Sequence, residues 1–197
     1  MSSALDLIMQ LAAENNGILF ASDASKLGIS RESLRQAKLA GLIESVSHGV
    51  YVTAETLPDD AFILQRKYDK AIFSHETAAY FLGFTTRDPL VFSVTVPSGY
   101  NSRLLTDGNA KIYYSAEIKQ EDIVVTKTMF NREVRCFNIE KTIVDFCSGN
   151  FKGDKDVALE VIKAYARSKN KNISKLMSYA TTKKARDTIR GYMEALL

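Results

Sequence analysis

Between Ser30 and Val52 the chain reads SRESLRQAKLAGLIESVSHGVYV, and within it the hydrophobic period changes from that of a helix to that of a hairpin at one glycine. Few folds accommodate that order. Ser30 can accept an orphan amide of a first helical turn and Gly41 can take the left-handed conformation that closes the helix, so the text predicts a helix from about Arg31 to Ala40. At about 100° per residue, Ser30, Leu34, Ala37 and Gly41 fall on one side, with Arg31, Arg35 and Lys38 on a stripe next to it. One side can pack and another can meet phosphates. Beyond Gly41, the apolar Leu42, Ile43, Val46, Val50 and Val52 surround the polar Ser47, His48 and Gly49, which suits a two-stranded hairpin with glycine at a positive-φ position.

A helix bearing three cations is commonly no more than a solvated helix, and the upstream text decides against that bland reading. Ser22 can cap a short helix through Lys26 and Leu27, Gly28 supplies a tight turn, and Ile29 tucks in before Ser30. Before that, Ser2 or Ser3 can start a helix with Leu5, Ile8, Met9 and Ala12 on one face, ending near Asn16-Gly17. Three helices and a wing make a winged helix-turn-helix over residues 1–54. Its candidate DNA-contacting residues are Lys26, Ser30, Arg31, Ser33, Arg35, Gln36 and Lys38 on the helices, and Ser47, His48 and Gly49 at the wing tip.

The chain has 197 residues, 46% hydrophobic and 25% charged, which is enough to bury a core in one large domain or two small ones. No apolar run approaches the ~20 residues needed to span a bilayer, and MSSALDLIMQ lacks a signal peptide's basic start, so a cytoplasmic protein without membrane association is expected. Cys136 and Cys147 sit in apolar text and read as small core residues, not as a disulfide. His48 and His75 lie at no metal-ligand spacing, so neither a metal nor another cofactor is expected. Net charge is +3, but residues 1–53 carry four Lys and Arg against five Asp and Glu, residues 54–150 eleven against thirteen, and residues 151–197 eleven against five. The winged segment is therefore not broadly basic, and its DNA affinity must come from placed cations or from help by the C-terminal part.

After the wing, Pro58-Asp59-Asp60 opens a helix through Tyr68, and Ser74 caps HETAAYFLG, with Ala78, Phe81 and Leu82 facing inward. His75 and Glu76 read there as neighbours of a cap, not as catalytic groups. From Leu90 to Val96 the text alternates, with Leu90, Phe92, Val94 and Val96 on one side of a strand that Pro97 stops. Ile112–Tyr114 forms a second strand, and Ile123–Met129 with Glu133–Phe137 a hairpin turning near Asn131. Asn138 caps IEKTIVDFC, and the remainder is helical, with helices from Asp154 to Ala166, after Asn172, and after Thr181 or Thr182. In the last helix Ala185, Ile189, Tyr192, Met193 and Leu196 form a buried stripe, while Lys183, Arg186 and Arg190 share another face. The fold class is α+β: a winged helix-turn-helix followed, over residues 55–197, by a mixed α/β domain with a small, mainly antiparallel sheet and C-terminal helices.

The text GLIESVSHGVYV, then SHETAAYFLG, VFSVTVP and FNIEKTIVDF in that order, resembles the antitoxins of the abortive-infection (AbiEi-like) type IV toxin-antitoxin systems. The likeness spans about Leu34 to Phe146. Many members carry more arginines in the recognition helix and wing, where Gln36, Leu39, Ser45 and Ser47 are uncharged here. The resemblance implies a bacterial phage-defence protein whose winged domain binds double-stranded promoter DNA, at inverted repeats, and represses its own operon. It also implies a C-terminal domain that counteracts a nucleotidyltransferase toxin without a stable complex. Lys183, Arg186 and Arg190 are then candidates for phosphate contact, or for meeting the RNA that such a toxin would modify.

Two other functions remain open on the residues alone. A nucleotide-acting enzyme with an accessory winged helix is disfavoured, because the chain has no GxxxxGKS phosphate loop and no trusted nucleophile–base pair. A winged helix serving only as a protein-interaction adaptor is the other.

Overall fold

The computed structural model describes residues 4–101, 103–106, 110–149 and 151–196, so the helix start expected at Ser2 or Ser3 lies outside the described residues. The chain divides into two compact units, Met1–Ile63 and Leu64–Leu197.

The first unit runs α1 (Ala4–Glu14), β1 (Ile18–Phe20), α2 (Ala21–Lys26), α3 (Arg31–Leu39), β2 (Ile43–Ser47) and β3 (Val50–Thr53). Ile8, Leu11 and Ala12 turn inward at helical spacing and meet Leu19, Ala24, Ile29, Leu34, Ala37 and Ile43 in one core. This moves the buried stripe of α1 from its expected place. Leu5 and Met9 are 36% and 37% exposed, because the helix is rotated to put Leu11 against its neighbours. The strands form a three-stranded antiparallel sheet in the order β1-β3-β2, so the wing is not a lone hairpin. Ile18 pairs with Val52 and Phe20 with Val50, and these four side chains are buried with Phe62 and Ile63 in a second cluster.

β1 also corrects the start of α2. The chain passes from strand to helix at Phe20, which holds the N-cap position in an extended conformation without a side-chain cap bond. Ser22, the expected cap, is exposed inside the helix. The first amide of the helix, that of Ala21, is satisfied by the Gly49 carbonyl at 2.8 Å, so a wing residue takes the place of a capping side chain.

Helix α4 (Asp60–Lys67) contains the boundary between the units. The second unit continues with β4 (Ile72–Phe73), α5 (His75–Phe81), β5 (Phe92–Pro97), α6 (Arg103–Thr106), β6 (Ala110–Ser115), β7 (Ile123–Lys127), β8 (Glu133–Phe137), α7 (Ile139–Phe146), α8 (Lys155–Arg167), α9 (Ile173–Tyr179) and α10 (Lys183–Leu196). Its sheet has the order β6-β5-β4-β8-β7. The architecture is α+β, and this second sheet is mixed: β4 with β5 and β7 with β8 are antiparallel, β4 with β8 and β5 with β6 parallel.

β5 begins two residues later than its alternation suggests, and Leu90 stands 93% exposed. Both faces of the strand are covered, since Ser93 and Thr95 are buried along with Val94 and Val96. The polar pair is satisfied: Ser93 Oγ donates to Glu76 Oε2 at 2.9 Å and Thr95 Oγ1 to Ser74 Oγ at 2.9 Å. The helices α7 to α10 build the main core around Ile143, Val161, Leu176 and Ile189. Their starts follow the sequence signals, with Asn138 accepting from the Lys141 amide, Asp154 from those of Asp156 and Val157, and Asn172 from that of Lys175.

Candidate nucleic-acid interface

The outward surface of α3 is set by how the helix is anchored. Ser30 Oγ accepts from the Ser33 amide at 3.0 Å and shares a 2.9 Å hydrogen bond with the Ser33 hydroxyl, which fixes the first turn. Leu34 and Ala37 hold the inner side, and Gly41 leaves the helix at φ 71°. Arg31, Glu32, Arg35, Gln36, Lys38 and Leu39 are left exposed. By helical geometry Glu32 stands nearly opposite the midpoint of Leu34 and Ala37, with Arg35 on one flank and Gln36 on the other.

Glu32 is the residue that attention to cations overlooks. Arg35 donates to it in bidentate fashion, Nε to Oε2 at 2.8 Å and Nη2 to Oε1 at 2.8 Å, and Gln36 Nε2 donates to Oε1 at 2.7 Å. The hydrogen bonds from Arg35 and then from Gln36 hold its carboxyl well below the usual range, at about 2, and Arg35 is raised in return. The spacing of Glu32 to Arg35 and Gln36, three and four residues, is a sequence signal that could have found the group. Lys26 is likewise paired, with Asp23 at 2.9 Å. Among the described residues Arg31 and Lys38 carry no ion pair, so the unit presents two free cations and two held ones.

At the wing the pairing register of β2 and β3 shifts between Ser45 and Ser47, and Val46 is turned outward. The Ser47 hydroxyl is shielded from solvent and has no hydrogen-bond partner, whereas His48 is exposed. Gly49, at φ 71°, directs its carbonyl to the Ala21 amide as described. In the second unit, Lys183, Arg186 and Arg190 are exposed on α10 along a stripe that flanks the buried Ala185, Ile189 and Met193, and Arg186 Nε donates to the Ala180 carbonyl at 2.6 Å.

Around α5 the expected cap is not made: Ser74 holds the N-cap position without a side-chain bond to the helix. Its hydroxyl lies 3.0 Å from His75 Nδ1 and accepts from Thr95. His75 is buried at φ 51°, a left-handed conformation uncommon outside glycine though less so for histidine than for most residues, with its ring stacked on Tyr113 at 3.7 Å and parallel to Phe151 at 5.6 Å. Burial first, and then the Lys141 and Lys111 ammonium groups, push its pKa down to about 3. The side chain is therefore a neutral ring in an aromatic stack. Cys136 and Cys147 are free thiols raised by burial to about 12 and about 11.

Among the described residues no cluster of His, Cys, Asp and Glu is placed to hold a metal ion. No helix among them is long and apolar enough to cross a membrane.

A turn at Gly28, a second helix with polar and cationic residues outward, and a three-stranded wing define a winged helix-turn-helix. Residues 6–54 match the family model of the AbiEi antitoxin transcriptional regulators. That match covers the winged segment, and the family is one of regulators and antitoxins, not of enzymes. No curated protein matches the chain. Among solved structures, the crystal structure of the RV2827C protein from Mycobacterium tuberculosis is similar over 96% of this chain and 75% of that one, with a TM-score of 0.66 at 12% identity. At that identity the likeness is one of fold.

Proposed function

We propose that this chain is a cytoplasmic, non-enzymatic autorepressor and antitoxin of a type IV toxin-antitoxin pair, of the kind that protects bacteria against phage. Residues 1–54 bind double-stranded promoter DNA at inverted repeats, and residues 55–197 counteract a nucleotidyltransferase toxin without forming a stable complex with it. The reading is supported above all by one observation: the segment that matches the antitoxin regulators presents α3 with Arg31, Arg35, Gln36 and Lys38 exposed on a helix pinned by Leu34 and Ala37. Ser30 and Ser33 at the helix start, Lys26 on α2, and the wing tip of Ser47, His48 and Gly49 complete the contact set. The Ser47 hydroxyl is covered, so at the tip the exposed His48 side chain carries the contact.

The test is a gel shift of the full chain on its own promoter region, with an unrelated fragment of equal length as competitor. A shifted promoter fragment that survives excess competitor supports the reading. Equal binding to both fragments overturns promoter recognition in favour of non-specific DNA binding, and binding to neither overturns it and leaves a protein-interaction adaptor as the better account.

A further inference from the structure

We propose that Glu32 is a positioning residue for base reading, which holds Arg35 and Gln36 as a preassembled pair of readers on the outward face of α3. The inference rests on the DNA-binding reading above. A lone carboxylate at the centre of a surface that meets phosphates is repelled by them. Glu32 does not stand alone: three donated hydrogen bonds of 2.7 to 2.8 Å tie it to the residues on its two flanks.

The donor inventory shows what the arrangement leaves over. A guanidinium has five N–H groups, of which Glu32 takes one from Nε and one from Nη2. Both hydrogens of Nη1 and one of Nη2 remain, and they form the end-on fork that matches the O6 and N7 acceptors of guanine. The Gln36 amide gives one hydrogen to Glu32 and keeps its carbonyl oxygen and its other hydrogen, the two groups that pair with adenine N6 and N7. Neither reader is used up by the contact, and each loses rotamer freedom before DNA arrives. Side-chain exposures of 60% for both Arg35 and Glu32 leave the pair open to a duplex.

The bland alternative is a helix-surface ion pair, which would contribute to α3 and to nothing else. The two differ in what the removal of Glu32 does. As a positioning residue, its removal frees Arg35 to wander, so selectivity falls while a negative charge disappears from the interface. As a surface pair, its removal leaves selectivity as it was.

Binding of the wild type, Glu32→Ala, Glu32→Gln and Arg35→Ala to the promoter fragment, and to a panel in which each base pair is substituted in turn, separates them. We expect at least one base pair whose identity matters to the wild type and not to Arg35→Ala. At that pair Glu32→Ala should lose about tenfold in discrimination, the order of one bidentate contact, while its affinity for unrelated DNA rises. Glu32→Gln, which keeps one acceptor oxygen, should fall between the two. If Glu32→Ala keeps the wild-type base profile and only its melting temperature changes, the inference is overturned and the DNA-binding reading stands. If the wild type binds no promoter DNA, both fall together.

Discussion

The side-chain amide of Gln65 pairs with the backbone of Arg135 on both sides, donating from Nε2 to the carbonyl at 2.8 Å and accepting the amide hydrogen on Oε1 at 2.6 Å. Its Nε2 also donates to the Ala71 carbonyl at 2.9 Å. β4 has only two residues and pairs with β8 at Phe73 and Cys136, so the glutamine amide serves as the peptide group that the short strand does not extend to provide. Gln65→Leu keeps the apolar stem and removes the amide, leaving backbone groups of Arg135 and Ala71 unpaired. A loss of about 1–3 kcal/mol for each group that stays buried without a partner is expected, and urea denaturation of the full chain followed by circular dichroism measures it. A variant as stable as the wild type would show that water takes over these bonds.

Arg35 is expected to be the residue on which operator affinity depends most. Arg35→Ala should weaken promoter binding roughly ten- to hundredfold and leave the far-ultraviolet spectrum unchanged, because the side chain is exposed and packs on no core residue. Arg31→Ala, which breaks no ion pair among the described residues, should weaken promoter and unrelated DNA alike, as removal of a phosphate-binding cation does. Full affinity in the double variant would remove α3 from the interface.

His75 makes the second unit sensitive to acid. An unfolded chain holds this imidazole near its ordinary value of about 6.5, whereas the folded protein holds it at about 3 through burial and the neighbouring Lys141 and Lys111. Between those values the unfolded chain binds the extra proton, so the contribution is fully present above pH 6.5 and is lost as pH falls toward 3. His75→Phe keeps the ring between Tyr113 and Phe151 but cannot titrate. It should be less stable at neutral pH, for want of the bond to Ser74, and should decline more shallowly from about pH 6.5 to about 4.5. Thermal melts across that range decide it, and parallel acid limbs would exclude His75 as the titrating group.

The cationic face of α10 can be reversed without touching its core side. Lys183→Glu, Arg186→Glu and Arg190→Glu together should give a folded protein, slightly destabilised because the Arg186 bond to the Ala180 carbonyl is removed. In cells carrying the toxin the variant is expected to repress its promoter normally and to fail in protection. A flatter dependence of promoter binding on salt, by about 0.9 in the log-log slope for every phosphate left without its cation, would instead assign the face to DNA.

What could be read from the sequence was local. Ser30 and Gly41 bound α3 because a cap needs only its own turn, and Asn138, Asp154 and Asn172 start their helices for the same reason. β1 escaped notice because Ile18, Leu19 and Phe20 are all buried, and three apolar residues covered on both sides show no alternation. The parallel pairing of β4 with β8 escaped because it joins segments with most of the second sheet's sequence between them. At the candidate interface the cations were legible by type, whereas the division into held and free ones depended on Glu32 and Asp23, whose partners are set by side-chain geometry.

The sheet order has a consequence for the time course of assembly. Every strand of β1-β3-β2 is in place once the chain has reached Thr53, and all the members of its two clusters once it has reached Ile63. β4, at the centre of the other sheet, gains a neighbour on one side with β5 but waits for β8 on the other, after β6 and β7 have been made. Local pairings close quickly and distant ones slowly, and domains form as they emerge during synthesis. A nascent chain therefore acquires the helix and wing proposed to silence its gene before it acquires the unit proposed to restrain the toxin. Under the proposed function, a truncated product ending between the two would be a repressor without an antidote.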